Sequence, residues 1–409
     1  MQSNYCNMED ITFESLYRTS QKMVQRVNMD FFRYLYHQIN WNDRLIGIKG
    51  ARGVGKTTMV LQRIKEVFSE NPEQALYVSL DNLWFANHTL SDVVEYHYTH
   101  GGTHLFVDEI HKYPHWQTLL KNIYDEYPDL HVVYTGSSML QINLNEGDLS
   151  RRQVLYTLHN LSFKEFLAYE KNIECSAIPF DELLVNHVHY ALNLTKNVKI
   201  LPLFTQYLQY GCYPFYKNAI STYDIRLQSV IRTVLMEDLQ VSGEFTYPTL
   251  QKTMKMLMIL AERVPQTPKM NELYALLDTN RTQGLKMLSM LEQAALLNLL
   301  SAFPKNFRQM GKPDKIYLNN PNLMWALTPH ADIGTMRETF FMNQVKVAGE
   351  VNYPATGDFL VNRKFLFEVG GRGKTFEQIK DMPDSFLAVD GIETGHGHRI
   401  PLWMFGMMY

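Results

Sequence analysis

The sequence predicts an α/β fold built on a parallel sheet, continued by a helical module and an α+β end domain. Three observations predict it. Between Arg44 and Phe166 four short apolar runs, LIGIKG, ALYVSLD, THLFVDE and LHVVYTGS, alternate with helical stretches. Each has strand length and β-rich composition and is bounded by Gly, Asp or Ser, and runs this apolar require strands covered on both faces. From residue 170 to 300 the texture changes to helical patterns rich in Leu, Met and Tyr. Beyond residue 303 short strand-like runs return as KIYLN, TGDFLV, KFLFEV and SFLAVD. The expected divisions are therefore 1–170, 171–302 and 303–409. Before the sheet, residues 1–44 read as helical, with Phe31, Phe32, Leu35, Tyr36 and Ile39 near a 3.6-residue period.

A chain of 409 residues exceeds one ordinary core, in keeping with this division. Its 45% hydrophobic and 20% charged residues exclude a disordered class. A net charge of −3 excludes a global basic field, so nucleic-acid binding would need a local patch. Cys6, Cys175 and Cys212 are odd in number and widely spaced, which argues against a disulfide framework or zinc cluster and for free thiols in a reducing compartment. The polar, acidic start MQSNYCNMED is unlike a signal peptide. No apolar run approaches the roughly 20 residues that span a bilayer, so the expectation is a cytoplasmic protein with no membrane partner.

The strongest local signal is Gly50-Ala51-Arg52-Gly53-Val54-Gly55-Lys56-Thr57, which satisfies G-x-x-x-x-G-K-[ST] at every fixed position. It follows the strand-like Leu45–Ile48 and opens the helical run TTMVLQRIKEVF, the context this phosphate loop requires. Glycines let the backbone wrap closely, so that N–H groups of the loop, through Thr58, point at phosphate oxygens beside a helix N-terminus. Lys56 is expected to reach the β- and γ-phosphates of ATP, and the Thr57 hydroxyl to bind Mg²⁺. About fifty residues later Leu105-Phe106-Val107 ends in Asp108-Glu109, as in a Walker B segment. Asp108 is the second candidate for Mg²⁺, and Glu109 the candidate to polarise the attacking water. A strand-end turn alone can also end in Asp-Glu, and the preceding phosphate loop decides for the functional reading.

The strand-like Leu130–Tyr134 runs into Thr135-Gly136-Ser137-Ser138. A polar side chain there can sense the γ-phosphate; Ser137 is the first candidate, Ser138 and Thr135 the next, and a turn-forming Ser cluster the rival explanation. Arg151 and Arg152 are candidates for a charge-stabilising arginine, in cis or towards a neighbouring subunit, although a solvated basic pair reads the same. The absence of G-x-G-x-x-G excludes kinase-type and Rossmann loops. Neither His111 with His115 nor His396 with His398 has a spacing that suggests metal ligation.

In order, GARGVGKTT, LFVDEIHKYPHW, VVYTGSS, Arg151-Arg152 and LSFKEFL resemble a bacterial and archaeal family of AAA-type ATPases with a C-terminal region of uncharacterised function. The resemblance continues through GCYPFY, KIYLNNPNL, RETFFMNQV and the tail IPLWMFGMMY, so it extends over nearly the whole chain. It implies a five-stranded ASCE-type core, a winged-helix middle module and a nuclease-like end domain of the PD-(D/E)xK kind.

The residues support the middle module independently. Thr253–Glu262, Lys269–Asp278 and Arg281–Ala294 read as three helices, followed by strand-like Leu296–Leu300 and Lys315–Leu318. Asn280, Arg281, Thr282, Gln283 and Lys286 lie where such a module contacts DNA. The net charge of residues 270–300 is only −1, so a protein partner through residues 253–318 stands level with DNA. In the end region Glu338 lies on a helical run. A hairpin centred on Arg363 would set Asp358 opposite Glu368, and these carboxylates can bind a divalent metal. Gly370 stands where the nuclease lysine belongs; the nearest substitute, Lys374, lies in a Gly-rich stretch, so a nuclease-shaped domain without cleavage is expected. The functional expectation is Mg-dependent ATP binding with slow hydrolysis, acting as a switch on the C-terminal modules; an oligomer is compatible with it. The alternatives are an ATP-dependent DNA-processing enzyme and a DNA-binding regulator that uses nucleotide for assembly.

Overall fold

The structure is a computed structural model that describes residues 2–136, 149–238, 246–263, 269–302, 313–328 and 330–409. The chain divides into two compact units, Met1–His159 and Asn160–Tyr409. Among the described residues no helix is long and apolar enough to cross a membrane.

The first unit carries β1 (Leu45–Lys49), β2 (Ala75–Ser79), β3 (His104–Asp108), β4 (His131–Gly136) and β5 (Val154–Thr157) in one sheet of order β2-β3-β4-β1-β5. Every neighbouring pair is parallel. Between the strands run α2 (Lys56–Val67), α3 (Leu90–Thr99) and α4 (Trp116–Glu126), and α1 (Gln2–Arg26) packs on α2 and β2. Strand side chains alternate between faces. One face gathers Leu76, Val78, Leu105, Val107, Val132 and Tyr134 against Leu90 and Val93 of α3 and Trp116 and Leu120 of α4. Ile46, Ile48, Tyr77, Phe106 and Val133 alternate with these and are buried too, so both faces are covered as the apolar runs demanded. Strand β5 was not singled out in the sequence because it sits at the sheet edge and is partly exposed, which blunts its apolar signal.

The helix expected around residues 29–41 is corrected to a single 3-10 turn, Tyr34–His37. Arg33 is extended before it, at φ −69° and ψ 146°. The Gln62 amide donates to the carbonyls of Asn28 and Phe31, each at 2.8 Å, meeting by side chain what a helix would meet by backbone.

The second unit begins with α5 (Phe163–Lys171), α6 (Phe180–Thr195), α7 (Ile200–Tyr210) and α8 (Tyr223–Thr233). Next come α9 (Tyr247–Arg263), α10 (Met270–Leu276) and α11 (Arg281–Gln293), then the antiparallel pair β6 (Leu297–Leu300) and β7 (Lys315–Leu318). Helices α12 (Pro321–Leu327) and α13 (Ile333–Val345) lead to a mixed sheet of β8 (Val351–Asn352), β9 (Phe359–Val361), β10 (Phe365–Gly370), β11 (Ser385–Val389) and β12 (Arg399–Pro401). Its order is β12-β11-β10-β9-β8, with the two β12 to β10 pairings parallel and the rest antiparallel.

Several motifs that were obscure in the sequence meet in this unit as a buried polar network. Asn322 of α12, fully buried, accepts from the Cys212 backbone N–H at 2.8 Å and the Tyr223 hydroxyl at 2.6 Å. Its amide donates to the carbonyls of Tyr207 and Leu208 near the end of α7. Gln344 of α13 donates to the Tyr207 and Tyr409 hydroxyls, so GCYPFY, NNPNL, FFMNQV and the terminal tyrosine belong to one internal scaffold. Burial lifts the Cys212 thiol to about 12, so Cys212 remains an inert thiol in this scaffold.

Asn322→Ala strips partners from several buried groups at once. It is expected to destabilise the second unit by about 3 kcal/mol or more, since each orphaned group costs ~1–3 kcal/mol. Urea denaturation should show its transition moved to lower denaturant; an unchanged midpoint would refute the scaffold role.

Candidate functional site

The site forms at the C-terminal edge of the parallel sheet, where β1 hands over to α2 and where β3 and β4 end beside it. The loop between β1 and α2 turns on Gly53 and Gly55, at φ 84° and 100°, a left-handed conformation that side chains resist. Helix α2 starts at Lys56 with Gly55 as its N-cap, so its first N–H groups face the loop. Lys56 is buried, and its ammonium donates to the carbonyls of Gly50 at 2.8 Å and Ala51 at 3.0 Å. Arg52, Gly53, Val54 and Thr58 complete the loop; Val54 is buried, and its carbonyl accepts from the buried Arg33 guanidinium, which also donates to the His159 carbonyl at 2.8 Å. Arg33 thus pins the loop from below. The sequence offered no sign of this, since the two residues are far apart in the chain.

Asp108 ends β3 and is nearly buried. Three hydroxyls from three elements converge on its carboxylate. Thr57 of α2 and Tyr77 of β2 each donate to Oδ2 at 2.8 Å, and Thr135 of β4 donates to Oδ1. Thr57 and Asp108, both proposed for Mg²⁺, are therefore already in contact. Their hydroxyl and carboxylate oxygens suit a hard cation of this kind. Burial, then the charge and hydrogen bond of Asp108, push the Tyr77 phenol far above its ordinary range, so it acts only as a donor. Tyr77 was missed because it reads as one more β-rich residue in ALYVSLD. Its approach to Asp108 depends on the pairing of Ser79 with Asp108, a register visible only once the strands are neighbours.

Glu109 follows in the left-handed region at φ 57° and ψ 43°. The Thr135 hydroxyl, which donates to Asp108, also accepts from the Glu109 N–H at 3.4 Å. Thr135 thus takes up the polar position at the end of β4. Ser137 and Ser138 lie outside the described residues. Arg152 is engaged by Asp125 in a two-pronged pair at 3.0 and 2.9 Å, whereas Arg151 is exposed. Asp81 pairs with Lys112.

The second unit also gathers chemistry-bearing side chains. In β9 and β10 the register pairs Val361 with Phe365 and Phe359 with Phe367. Asp358, just before β9, bonds both residues that flank Glu368: its N–H donates to the Phe367 carbonyl and its Oδ2 accepts from the Val369 N–H, each at 2.9 Å. Lys315 of β7 lies between Glu338 and Asp358, at 3.3 and 3.4 Å, and Tyr317 donates to Glu338 at 2.6 Å. Lys374, placed in the sequence on a stretch too Gly-rich to position a charge, instead folds back so that its ammonium is 2.5 Å from Glu368. A side chain at Gly370 would collide with Lys374, so the glycine makes room for the lysine that was sought at its own position. Among the described residues no group of three or more His, Cys, Asp or Glu could hold a metal. Glu338, Asp358 and Glu368, which the sequence left as possible metal ligands, are each met by a lysine, Lys315 or Lys374.

Comparison with known proteins assigns part of the chain. Residues 42–167 match the model of a family described as an AAA domain, and residues 201–333 match a domain of unknown function. An uncharacterized protein of Methanocaldococcus jannaschii is 26% identical over 321 residues, which cover 72% of this chain and 65% of that relative. AMPPCP-bound DnaA from Aquifex aeolicus is 13% identical, with a TM-score of 0.27 over 68% of this chain and 88% of that one. The Hsp104–ADP complex of S. cerevisiae is 15% identical, with a TM-score of 0.27 over 69% of this chain and 39% of that one. The Pif1 helicase of Candida albicans is 14% identical, with a TM-score of 0.25 over 39% and 46% of the two chains. Scores this low carry no assignment. The family match, the phosphate loop and the five-stranded parallel sheet support an AAA-type P-loop domain in the first part of the chain.

Tyr77→Phe removes one hydroxyl from the Asp108 carboxylate and leaves the ring in place. Hydrogen bonds to charged groups contribute roughly 1.5–3 kcal/mol, so thermal melting should show a loss of that size. A melting temperature equal to that of the unsubstituted protein would mean that Tyr77 does not support Asp108.

Proposed function

We propose that this chain binds Mg-ATP on the Gly50–Thr58 loop and hydrolyses it slowly, with nucleotide occupancy acting as a switch on the modules that follow. The observation that carries this reading is the 2.8 Å contact between Thr57 and Asp108 at the mouth of the loop. Lys56 faces the β- and γ-phosphates, Thr57 and Asp108 hold Mg²⁺, and Glu109 accepts the proton of the attacking water. The metal supplies charge neutralisation on the phosphates. Thr135, beside both Asp108 and Glu109, can report the state of the γ-phosphate, with Ser137 further along the same segment. Arg151, being exposed, can reach a neighbouring copy if the chain assembles, while Arg152 is already held by Asp125.

In this reading residues 1–170 are the ATPase domain, 171–302 a helical linker with a winged-helix module, and 303–409 a nuclease-like domain, all in the cytoplasm. The sequence of α9, α10, α11, β6 and β7 supports the winged-helix assignment. Asn280, Arg281, Thr282, Gln283 and Lys286 are all exposed at the start of α11, where a DNA or protein partner would dock.

A second reading, ATP-licensed DNA cleavage by the end domain, is favoured by one observation, the Lys374 ammonium against Glu368, next to Val369 whose N–H bonds Asp358. Against it, Lys315 already places a cation between Glu338 and Asp358, and a divalent ion must displace it.

Lys56→Ala is expected to abolish or strongly weaken ATP binding, with the fold intact, and Glu109→Gln to keep affinity while slowing turnover. Calorimetric titration and phosphate release measure both. Unaltered ATP affinity in Lys56→Ala would overturn the reading, and wild-type turnover in Glu109→Gln would remove Glu109 from its role.

Supercoiled, linear and single-stranded DNA should survive incubation with the protein and Mg²⁺ or Mn²⁺, with or without ATP. Cleavage that disappears in Asp358→Ala would promote the second reading. If Lys56→Ala abolished it as well, ATP would be its licence.

A further inference from the structure

The turn after Asp108 holds a group that the proposed hydrolysis does not yet use. His111 sits in the 3-10 turn Ile110–Lys112, its side chain wholly buried. Among the described residues neither of its ring nitrogens has a hydrogen-bond partner. Its Nδ1 stands 3.4 Å from Oε2 of Glu109. A buried polar group left without a partner costs about 1–3 kcal/mol, so the imidazole gains from any partner its geometry can reach, and Glu109 is 3.4 Å away.

We propose that His111 is a positioning residue for Glu109, its imidazole donating from Nδ1 to one carboxylate oxygen and leaving the other to face the attacking water. This rests on the ATPase reading above. The geometry is a short closure away. Glu109 and His111 share one tight turn, closed by the Lys112 N–H donating to the Glu109 carbonyl at 3.0 Å. The left-handed backbone of Glu109 fixes where its side chain leaves the chain. Catalytic hydrogen bonds are commonly long before substrate arrives and tighten in the complex. Burial first, then the nearby Lys112 and Lys56, push the imidazole down to about 3, and Arg52 and Asp81 also act on it. It is therefore neutral, with one N–H to give.

The proton count closes without the histidine changing state. Water gives a proton to Glu109 as its oxygen bonds to the γ-phosphorus. The bond from that phosphorus to the β,γ-bridging oxygen breaks, and ADP leaves with the electron pair. His111 keeps its proton throughout. Its effect is on orientation, and a small misplacement of a catalytic group can cost on the order of a hundredfold in rate.

The test uses the full chain and four variants: His111→Ala, His111→Gln, Glu109→Gln and the His111→Ala/Glu109→Gln pair. Expected are an ATP Kd within about twofold of the unsubstituted protein in His111→Ala, a kcat lower by about ten- to a hundredfold, and partial recovery in His111→Gln, which retains a donor. In the Glu109→Gln background His111→Ala should cost nothing more, because both act through one carboxylate. Imidazole ¹⁵N NMR should find the Nδ1–H tautomer for His111, with its resonance displaced in Glu109→Gln. An unchanged kcat in a folded His111→Ala, fully multiplicative losses in the pair, or an Nε2–H tautomer would each overturn the proposal while leaving the ATPase reading in place. If His111→Ala does not fold, His111→Gln and the tautomer decide. A wild type that neither binds nor hydrolyses ATP, and so matches Lys56→Ala, would overturn both.

Discussion

The first unit is organised around one carboxylate. Asp108 is all but buried at the end of β3, and a buried anion must be met by donors or it is expelled. The donors are hydroxyls, one each from α2, β2 and β4. Hydroxyls meet the carboxylate with neutral donors, so no protein cation is paired with it among these contacts. An arginine or lysine in their place would stabilise the carboxylate as well and leave nothing for a cation. The strand order makes these contacts possible. β3 must lie between β2 and β4 for Tyr77 and Thr135 to reach Asp108 from either side, and β1 must be near enough for its loop to bring Thr57.

The second unit treats its carboxylates in the opposite manner. Glu338 and Asp358 share Lys315, and Glu368 is met by Lys374. Burial and the neighbouring Asp358 charge raise the Glu338 carboxyl, while Lys315 and Tyr317 pull it back, and the balance is upward. Lys315 is raised in turn, because the two acids outweigh its own desolvation. The cluster is thus held together by protein cations, where Asp108 is held by neutral groups. The contrast is between a carboxylate met by hydroxyls and carboxylates met by lysines.

What was legible in the sequence follows from range. The central strands, and the positions of the Gly50–Thr58 loop and Asp108 at their ends, were readable because they are set by contiguous residues and by burial on both faces. The same held for the β9–β10 hairpin, since antiparallel neighbours close in sequence have their register fixed by the turn, and Val361 does pair with Phe365 across Arg363. Arg33, Tyr77 and the Asn322 network were not readable, because each acts across a long stretch of chain on a partner that only the tertiary fold supplies. The error over residues 29–41 had a different origin. A 3.6-residue apolar period is necessary for an amphipathic helix but not sufficient, and Gln62 offered the backbone another partner.

The position of Lys374 shows how a local pattern can mislead about chemistry while remaining right about the residues. A motif that places lysine two residues after the acid encodes a side chain rising from the same strand face. Here that position is Gly370, and the vacated space is filled by the Lys374 stem, arriving from beyond the end of β10. The ammonium reaches the acid by a different covalent route. Its precision no longer comes from the strand that bears Glu368. It comes from the turn that follows, where the Arg399 guanidinium donates to the Lys374 carbonyl at 2.9 Å and the Lys374 N–H donates to the Gly371 carbonyl at 3.0 Å. Glycine-rich sequence therefore does not by itself mean a loose charge; the backbone bonds that a turn makes decide how firmly its side chain is aimed.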